Sequence, residues 1–345
     1  MRFSNVRLAA VSHVLPERVV RSEELEDRLA PLYRRLGLHP GRIELMTGIR
    51  ERRFFEPGTP PSRLAAAAGE RALASSGVDR SRVGCVIHAS VCRDFLEPAT
   101  ASLVHDALGL SSACLAFDLS NACLGFANAM VVAASMLEQR QIEAALVVAA
   151  EDGRSLVEAT LARLLSEPAA GKRELKAAFA SLTIGSGAAA AVLARADLAP
   201  RGSELAGATS LAATEHHVLC HGDHAAAFGG PLMETDSEGL LQEGNALAAR
   251  TWERFLLELG WRAGEVERVV THQVGVAHRR LLFETLGLDP GLDFPTVETL
   301  GNIGSVSLPL TLSLAIERGF VAAGQRVAML GIGSGLQCQM LGLRA

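Results

Sequence analysis

Apolar residues along this chain fall into two alternating rhythms. Short runs at Val83–Ala89, Ala144–Ala149, Ala188–Leu193, Val266–Thr271 and Arg326–Leu330 read as strands. Between them, helical spacing covers Ser22–Leu36, Ser62–Ser76, Ala122–Arg140, Asn245–Leu259 and Ser305–Arg318. Ser22, with glutamates in the turn after it, reads as the cap of the first helix. Breaks rich in Gly or Pro, such as Glu56–Pro61 and Gly287–Pro295, separate the elements. Strand and helix in alternation predict an α/β fold.

Three stretches, Leu119–Leu137, Ala177–Ala194 and Thr299–Ile316, carry no charge for 18 or 19 residues. Length alone would suggest membrane spans. Each is interrupted near its start or middle by Asn, Ser, Thr, Gly or Pro. We read them as elements buried in a large core, with no integral membrane segment.

The pattern then repeats. VGCVIHASV (83–91) is echoed by VERVVTHQV (266–274). SNACLGFANAMVVAASMLEQ (120–139) is echoed by GNIGSVSLPLTLSLAIERGF (301–320), and IEAALVVAAEDG (142–153) by GQRVAMLGIGSG (324–335). Residue 88 answers to 272, 121 to 302 and 153 to 335, at offsets of 184, 181 and 182 residues. Three pairs in one order at nearly one offset predict two similar halves, too long for a solenoid period. The boundary falls near 195–205, giving halves 1–195 and 196–345.

Composition narrows the function class. With 345 residues, 49% hydrophobic and 21% charged, a sizeable core can form, built largely from Ala, Leu and Val. A net charge of −5 argues against a broad nucleic-acid or anionic-membrane surface. Six cysteines are spread over the chain with no CxxC pair, which predicts reduced thiols and a cytoplasmic setting. The first twenty residues lack a sustained apolar signal segment.

Candidate chemistry gathers at the predicted element ends. Cys123 stands at the start of a nearly charge-free helix, either as a buried core thiol or as a nucleophile. The matching positions of the second half offer His272 after a strand and Asn302 before a helix. A thiolate near a helix N-terminus and an imidazole is stabilised, and suits acyl transfer. His and Asn can donate to a developing oxyanion or enolate. A satisfied core histidine and a helix N-cap remain the plain alternatives for these two residues.

The motifs SNACLGF (120–126), THQVGVAH (271–278), ETLGNIGSVSLPLTL (298–312) and GIGSGL (331–336) together resemble the thiolase superfamily. TGIRERRF (47–54) adds the β-ketoacyl-ACP synthase III branch. The resemblance runs from about Val6 to the C-terminus. It implies a thiolase fold in five layers, αβαβα, and a homodimer. It also implies that Cys123 is acylated, that His272 and Asn302 hold the second thioester carbonyl, and that the Cys123 and Ser334 amides form an oxyanion hole.

Departures point within that branch. Where initiating synthases read HQAN, this chain reads His272–Gln273–Val274–Gly275. Arg42 and Met46 stand where those enzymes carry the residues that stack on the CoA adenine, so the CoA-head contacts stay unassigned. VCRDFLEPATAS (91–102), ATEHHVLCHGD (213–223) and LGIGSGLQC (330–338) resemble OleA-type enzymes of long-chain olefin biosynthesis. Those join two fatty acyl-CoA molecules by a non-decarboxylative Claisen condensation and yield a β-keto acid. Taken alone, Glu97 reads rather as an ordinary first-turn carboxylate before Pro98; the resemblance implies instead that, reaching into the neighbouring subunit, it is the base. A plain acyl-CoA must lose an α-proton, which a malonyl donor need not. Acyl-CoA is then substrate and no cofactor is expected; enzymes that process a β-keto acid would be partners. The alternative is a decarboxylating β-ketoacyl synthase using malonyl-ACP.

Two further signals carry less. His217, Cys220, His221 and His224 would share one face of a helix and could hold a metal, but Gly222 interrupts them, and no metal is expected. GIGSG (331–335) has only ten residues after it, too few for a dinucleotide-binding unit. Arg50, Arg52 and Arg53 either meet CoA phosphates or form a solvated charge run. Cys85, Cys92, Cys114 and Cys338 read as buried and inert.

Overall fold

A computed structural model describes residues 1–345, with Ala226 left aside. Its centre is a nine-stranded sheet. The strands are β1 (Val6–Val14), β2 (Val83–His88), β3 (Leu115–Asp118), β4 (Ala144–Glu151) and β5 (Gly187–Arg195). They continue as β6 (Ser203–Ala212), β7 (Arg268–Thr271), β8 (Arg326–Gly333) and β9 (Gln337–Arg344). Their order is β7-β8-β9-β6-β1-β5-β4-β2-β3. β2 and β4 run parallel, as do β7 and β8, while β4–β5 and β8–β9 are antiparallel. The two parts meet where β1 pairs with β6 through Arg7–Glu204 and Leu8–Ser203.

The helices that matter are α1 (Pro61–Ser76), α2 (Thr100–Ala107), α3 (Gly125–Glu138), α4 (Ser237–Leu259), α5 (Val276–Leu286) and α6 (Ser307–Glu317). Period-2 alternation explains their layering. Ala145, Val147 and Ala149 of β4 face the central cluster with α3 and α6, while Leu146, Val148 and Ala150 face the cluster built with α1. In β8, Val327 and Met329 face the centre, and Ala328 and Leu330 face α4. The result is the five-layer thiolase arrangement: α1 and α2, one part of the sheet, α3 and α6, the other part of the sheet, α4 and α5.

The charge-free stretches find their reason here. α3 and α6 lie between two sheet faces, and Ala127, Ala129, Ala133 and Ala134 are buried in that central cluster. Their small side chains serve close packing of helix on sheet. Ala177–Ala194 covers the end of one helix and then β5, whose alanines are buried on both faces.

Several expected boundaries move. The helix expected over Ser22–Leu36 is two, Ser22–Arg28 and Ala30–Leu36. Pro31, near the start of the second, has no N–H to carry the ladder through. Arg21 rather than Ser22 holds the cap position, and its N–H donates to Glu24 at 2.9 Å. α4 begins eight residues before Asn245, with Asp236 accepting from the Gly239 N–H, because its first turns are polar and lack apolar period. The strands at β1, β6 and β9 were not expected; their small and polar residues hide the alternation.

Candidate active site

The expected helix over Ala122–Arg140 begins only at Gly125, so Cys123 sits in the turn before it. Ala122 adopts φ 44°, a left-handed conformation that a helix cannot contain. The turn closes through Leu124 N–H to Asn121 O (2.9 Å) and Gly125 N–H to Ala122 O (3.2 Å). The Leu124 side chain lies against the bare backbone of Gly331 and Gly333, where added Cβ atoms would stand 2.6 and 2.9 Å from it. Those glycines bring the Cys123 turn onto the end of β8.

Ser334 follows at once, in the tight turn between β8 and β9. The GIGSG segment is thus a strand end and hairpin turn. Side-chain amides brace the two loops to each other. Asn121 Nδ2 donates to Asn128 Oδ1 at 2.6 Å and to Gln337 Oε1 at 3.3 Å, while Asn128 Nδ2 donates to Gln339 Oε1. Neither the Cys123 nor the Ser334 N–H is a donor in the backbone turn bonds that shape these loops among the described residues.

The expected thiolate is not what the electrostatics favour. Burial pushes the Cys123 thiol up to about 12, and Cys220 and the Glu151 carboxylate push in the same direction. Cys123 is therefore a neutral thiol rather than a thiolate. Burial pushes four further thiols up: Cys85 and Cys338 up to about 12, Cys114 up to about 11, and Cys92 well above its usual value.

His272 is the first residue after β7, and its N–H donates to Leu330 O of β8 at 2.8 Å. Its ring is buried, and neither ring nitrogen has a hydrogen-bond partner among the described residues. Burial, reinforced by His278, pushes it down to about 3, so it is a neutral imidazole at working pH. Gln273 pins the loop: it donates to Phe294 O and accepts from the Thr296 and Val297 N–H groups, all within 2.9 Å.

Asn302 bonds Thr183 O through its N–H (3.0 Å), and its carbonyl accepts the Gly185 N–H (2.8 Å). Gly185 and Gly301 allow this approach, since a Cβ on either would strike the opposite backbone. Its side-chain oxygen accepts the Gly304 N–H at 2.9 Å, which commits Oδ1 and leaves Nδ2 as the donor end. Asn302 therefore does not cap α6, which starts at Ser307.

Glu97 is not brought to this cluster within the chain. It lies in the exposed loop between β2 and α2, ahead of the helix rather than in its first turn, after a cluster of exposed apolar residues. Val91, Phe95 and Leu96 are 59%, 56% and 95% exposed. The loop base is nonetheless pinned. Asp94 accepts from Ser62, and Asp118 accepts the Thr100 and Ala101 N–H groups.

The basic motif divides. Arg52 is fully buried, donates to Val20 O, Ser22 Oγ and Leu182 O, and burial pushes it down to about 10. Arg53 donates to Pro16 O, and Arg50 pairs with Glu298 at 3.5 Å. Arg52 thus neither joins a solvated run nor meets a phosphate. In the histidine-rich segment Thr214–Leu219 is a 3-10 turn and Cys220–Ala225 a strand, so the shared helical face does not form. No group of three or more metal-type ligands is present among the described residues. Among the described residues, no helix is long and apolar enough to cross a membrane.

Residues overlooked in the sequence include Glu151, His278 and the four bracing amides. Glu151 had a readable signal: a lone acid ending an apolar strand. His278 and the amides had none beyond their motifs.

The chain matches known families over both groups of site residues. Residues 117–213 match the 3-oxoacyl-[acyl-carrier-protein] synthase III family, and 256–344 match its C-terminal counterpart. It is 39% identical, over the whole of both chains, to the acyl-CoA:acyl-CoA alkyltransferase of Shewanella oneidensis. This chain belongs to the OleA family of thiolase-superfamily acyltransferases. The Xanthomonas campestris alkyltransferase is likewise 39% identical, over 99% of this chain and 98% of that one. Solved Xanthomonas OleA structures agree. A histidine-to-alanine variant superposes with TM-score 0.94 at 38% identity, covering all of both chains. The cerulenin-bound enzyme gives 0.95 at 38%, over 100% of this chain and 98% of that one. A cysteine-to-serine variant with lauric acid and lauroyl-CoA bound gives 0.94 at 37%, over 99% of this chain and 100% of that one. As an OleA-family member the chain is a condensing acyltransferase with the synthase III-like fold.

Proposed function

We propose that this enzyme condenses two long-chain fatty acyl-CoA thioesters head to head, without decarboxylation, as a cytoplasmic homodimer. The Cys123 sulfur attacks the first thioester carbonyl, the carbon–sulfur bond to CoA breaks, and CoA leaves with the thiol proton. The amides of Cys123 and Ser334 take the oxyanion. Glu97 of the partner subunit then removes the α-proton of the second acyl-CoA. The enolate oxygen is held by neutral His272 and by Asn302 Nδ2. Its α-carbon attacks the acyl-Cys123 carbonyl, the bond to sulfur breaks, and the thiolate regains a proton. Water cleaves the β-ketoacyl-CoA to a β-keto acid and CoA, for later enzymes of olefin or ketone formation. No cofactor enters these steps.

The observation that carries this reading is Glu97 itself. It is a carboxylate on an exposed apolar loop with no site of its own, as expected of a residue that completes a neighbour's site. The chain's resemblance to the alkyltransferases throughout its length supports it. The test is to incubate pure enzyme with myristoyl-CoA alone and look for the β-keto acid or its ketone by mass spectrometry. Product that forms only when malonyl-ACP is added would replace this reading with the decarboxylating one.

A further inference from the structure

Glu151 ends β4, a strand buried along all eight residues. A carboxylate in that setting is costly unless its oxygens are fully engaged. They are engaged by two different loops. Oε1 accepts the Val91 N–H (3.0 Å) and the Ser305 hydroxyl (2.7 Å), and Oε2 accepts the Cys92 N–H (3.1 Å). Val91 and Cys92 open the loop that carries Glu97. Ser305 lies three residues beyond Asn302. Between them Gly304, at φ +54°, passes so close that a Cβ there would stand 3.4 Å from Glu151 Oε1. The Glu151 charge also helps keep the Cys123 thiol protonated.

Three donors on two oxygens suit a carboxylate and no neutral substitute. Gln offers one oxygen and would turn its NH₂ towards a donor; Asp is one methylene too short for the span. Since both oxygens are occupied, Glu151 is not placed to take a substrate proton.

We propose that Glu151 is the positioning residue for carbon–carbon bond formation. It clamps the root of the Glu97 loop and the Asn302 turn to one strand end, and so fixes both the enolate-holding amide of its own site and the base that the same chain lends to its partner's site. This rests on the acyl-CoA condensation reading above. The reach of a base and an enolate donor is sensitive to displacements near an ångström, whereas acylation of Cys123 by the first thioester uses neither group.

The test compares wild type, Glu151→Gln and Ser305→Ala by three readouts. These are turnover of myristoyl-CoA, acylation of Cys123 by intact-protein mass spectrometry, and the pH profile of Cys123 alkylation by iodoacetamide. For Glu151→Gln, condensation kcat is expected to fall about 30-fold or more, with acylation within about three-fold of wild type. Its alkylation midpoint is expected to move to lower pH, because the negative neighbour is gone. For Ser305→Ala, which keeps the carboxylate and loses one of its three donors, kcat is expected to fall about five-fold with the alkylation midpoint unmoved. If Glu151→Gln does not fold, Ser305→Ala carries the test. Wild-type condensation in both variants overturns the proposal. So does equal loss of acylation and condensation with an unmoved alkylation midpoint, the mark of a mere structural prop. If wild type is acylated yet forms no product from myristoyl-CoA alone, the condensation reading fails separately, and the same variants are then scored on turnover with a malonyl thioester.

Discussion

The loops that leave β2 and β7 hold matching places in the two parts of the sheet, yet they meet solvent in opposite ways. After β7 the chain turns inward: His272 and Gln273 are buried, and every polar atom of the Gln273 amide is used to pin the turn. After β2 the loop root is buried at Ser90, but Val91, Phe95, Leu96 and Glu97 lie outside. A site that needs only fixed donors can be built within one chain. The proposed base, on an apolar loop, would find cover for that loop only against a second chain. In the proposed homodimer, that difference separates what the chain would do alone from what it would do as a pair.

The largest effect should come from removing what both loops serve. Cys123→Ala is expected to abolish condensation, by at least ~10³-fold, and to abolish acyl transfer to the protein as read by mass spectrometry. Glu97→Gln comes next: condensation drops by roughly 10²- to 10³-fold while Cys123 still takes an acyl group. The two variants sharpen the comparison when mixed. After subunit exchange, half the dimers are hybrids with one complete site, so activity should return to about a quarter of wild type. No recovery would place Glu97 in its own chain's site and remove the contrast between the loops.

The buried histidines near the ends of β2 and β7 have their own test in pH. His272, His278 and His88 are pushed by burial down to about 3, 4 and 4, below their unfolded value of 6.5. Between those values the unfolded chain binds the more protons, so stability is full above pH 6.5 and falls as pH drops. Urea denaturation at pH 8 and 5.5 should show a loss on the order of 1 kcal/mol for each such histidine, and His88→Asn should reduce the slope. A pH-independent midpoint would contradict the buried, neutral histidines. The smallest effect concerns the nucleophile turn. Ala122→Gly relieves the left-handed strain but adds chain entropy, so stability should change by less than about 1 kcal/mol, while Ala122→Val should cost about 2 kcal/mol.

How far the sequence carried the fold depended on which signal each element had. The central helices α3 and α6 were legible because burial on two sides removes charge from a whole stretch. β1, β6 and β9 were not, because strands such as SELAGATSLA and QCQMLGLR use small or polar residues where alternation is weak. At the site, Cys123, His272 and Asn302 stood out as reactive types at element ends. Their surroundings did not: the left-handed Ala122, which shortens the expected helix by one turn, depends on the glycines of β8 two hundred residues away. The acidity of Cys123 was misjudged for a related reason. Helix dipole and imidazole are readable in sequence, whereas the depth of burial and the Glu151 charge appear only in three dimensions.

The pairing of β1 has a consequence for how the chain is made. Val6–Val14 finds its main partner in Gly187–Arg195 and its second in Ser203–Ala212. At ~5–20 residues per second, synthesis leaves this strand without a neighbour for roughly 10–40 seconds after it is translated. Its contacts are among the most distant in the chain, the kind that slow folding and leave a sheet edge open meanwhile. The strand that later joins the two halves thus spends the longest time as an unpaired edge, and chaperone dependence during translation should be concentrated there.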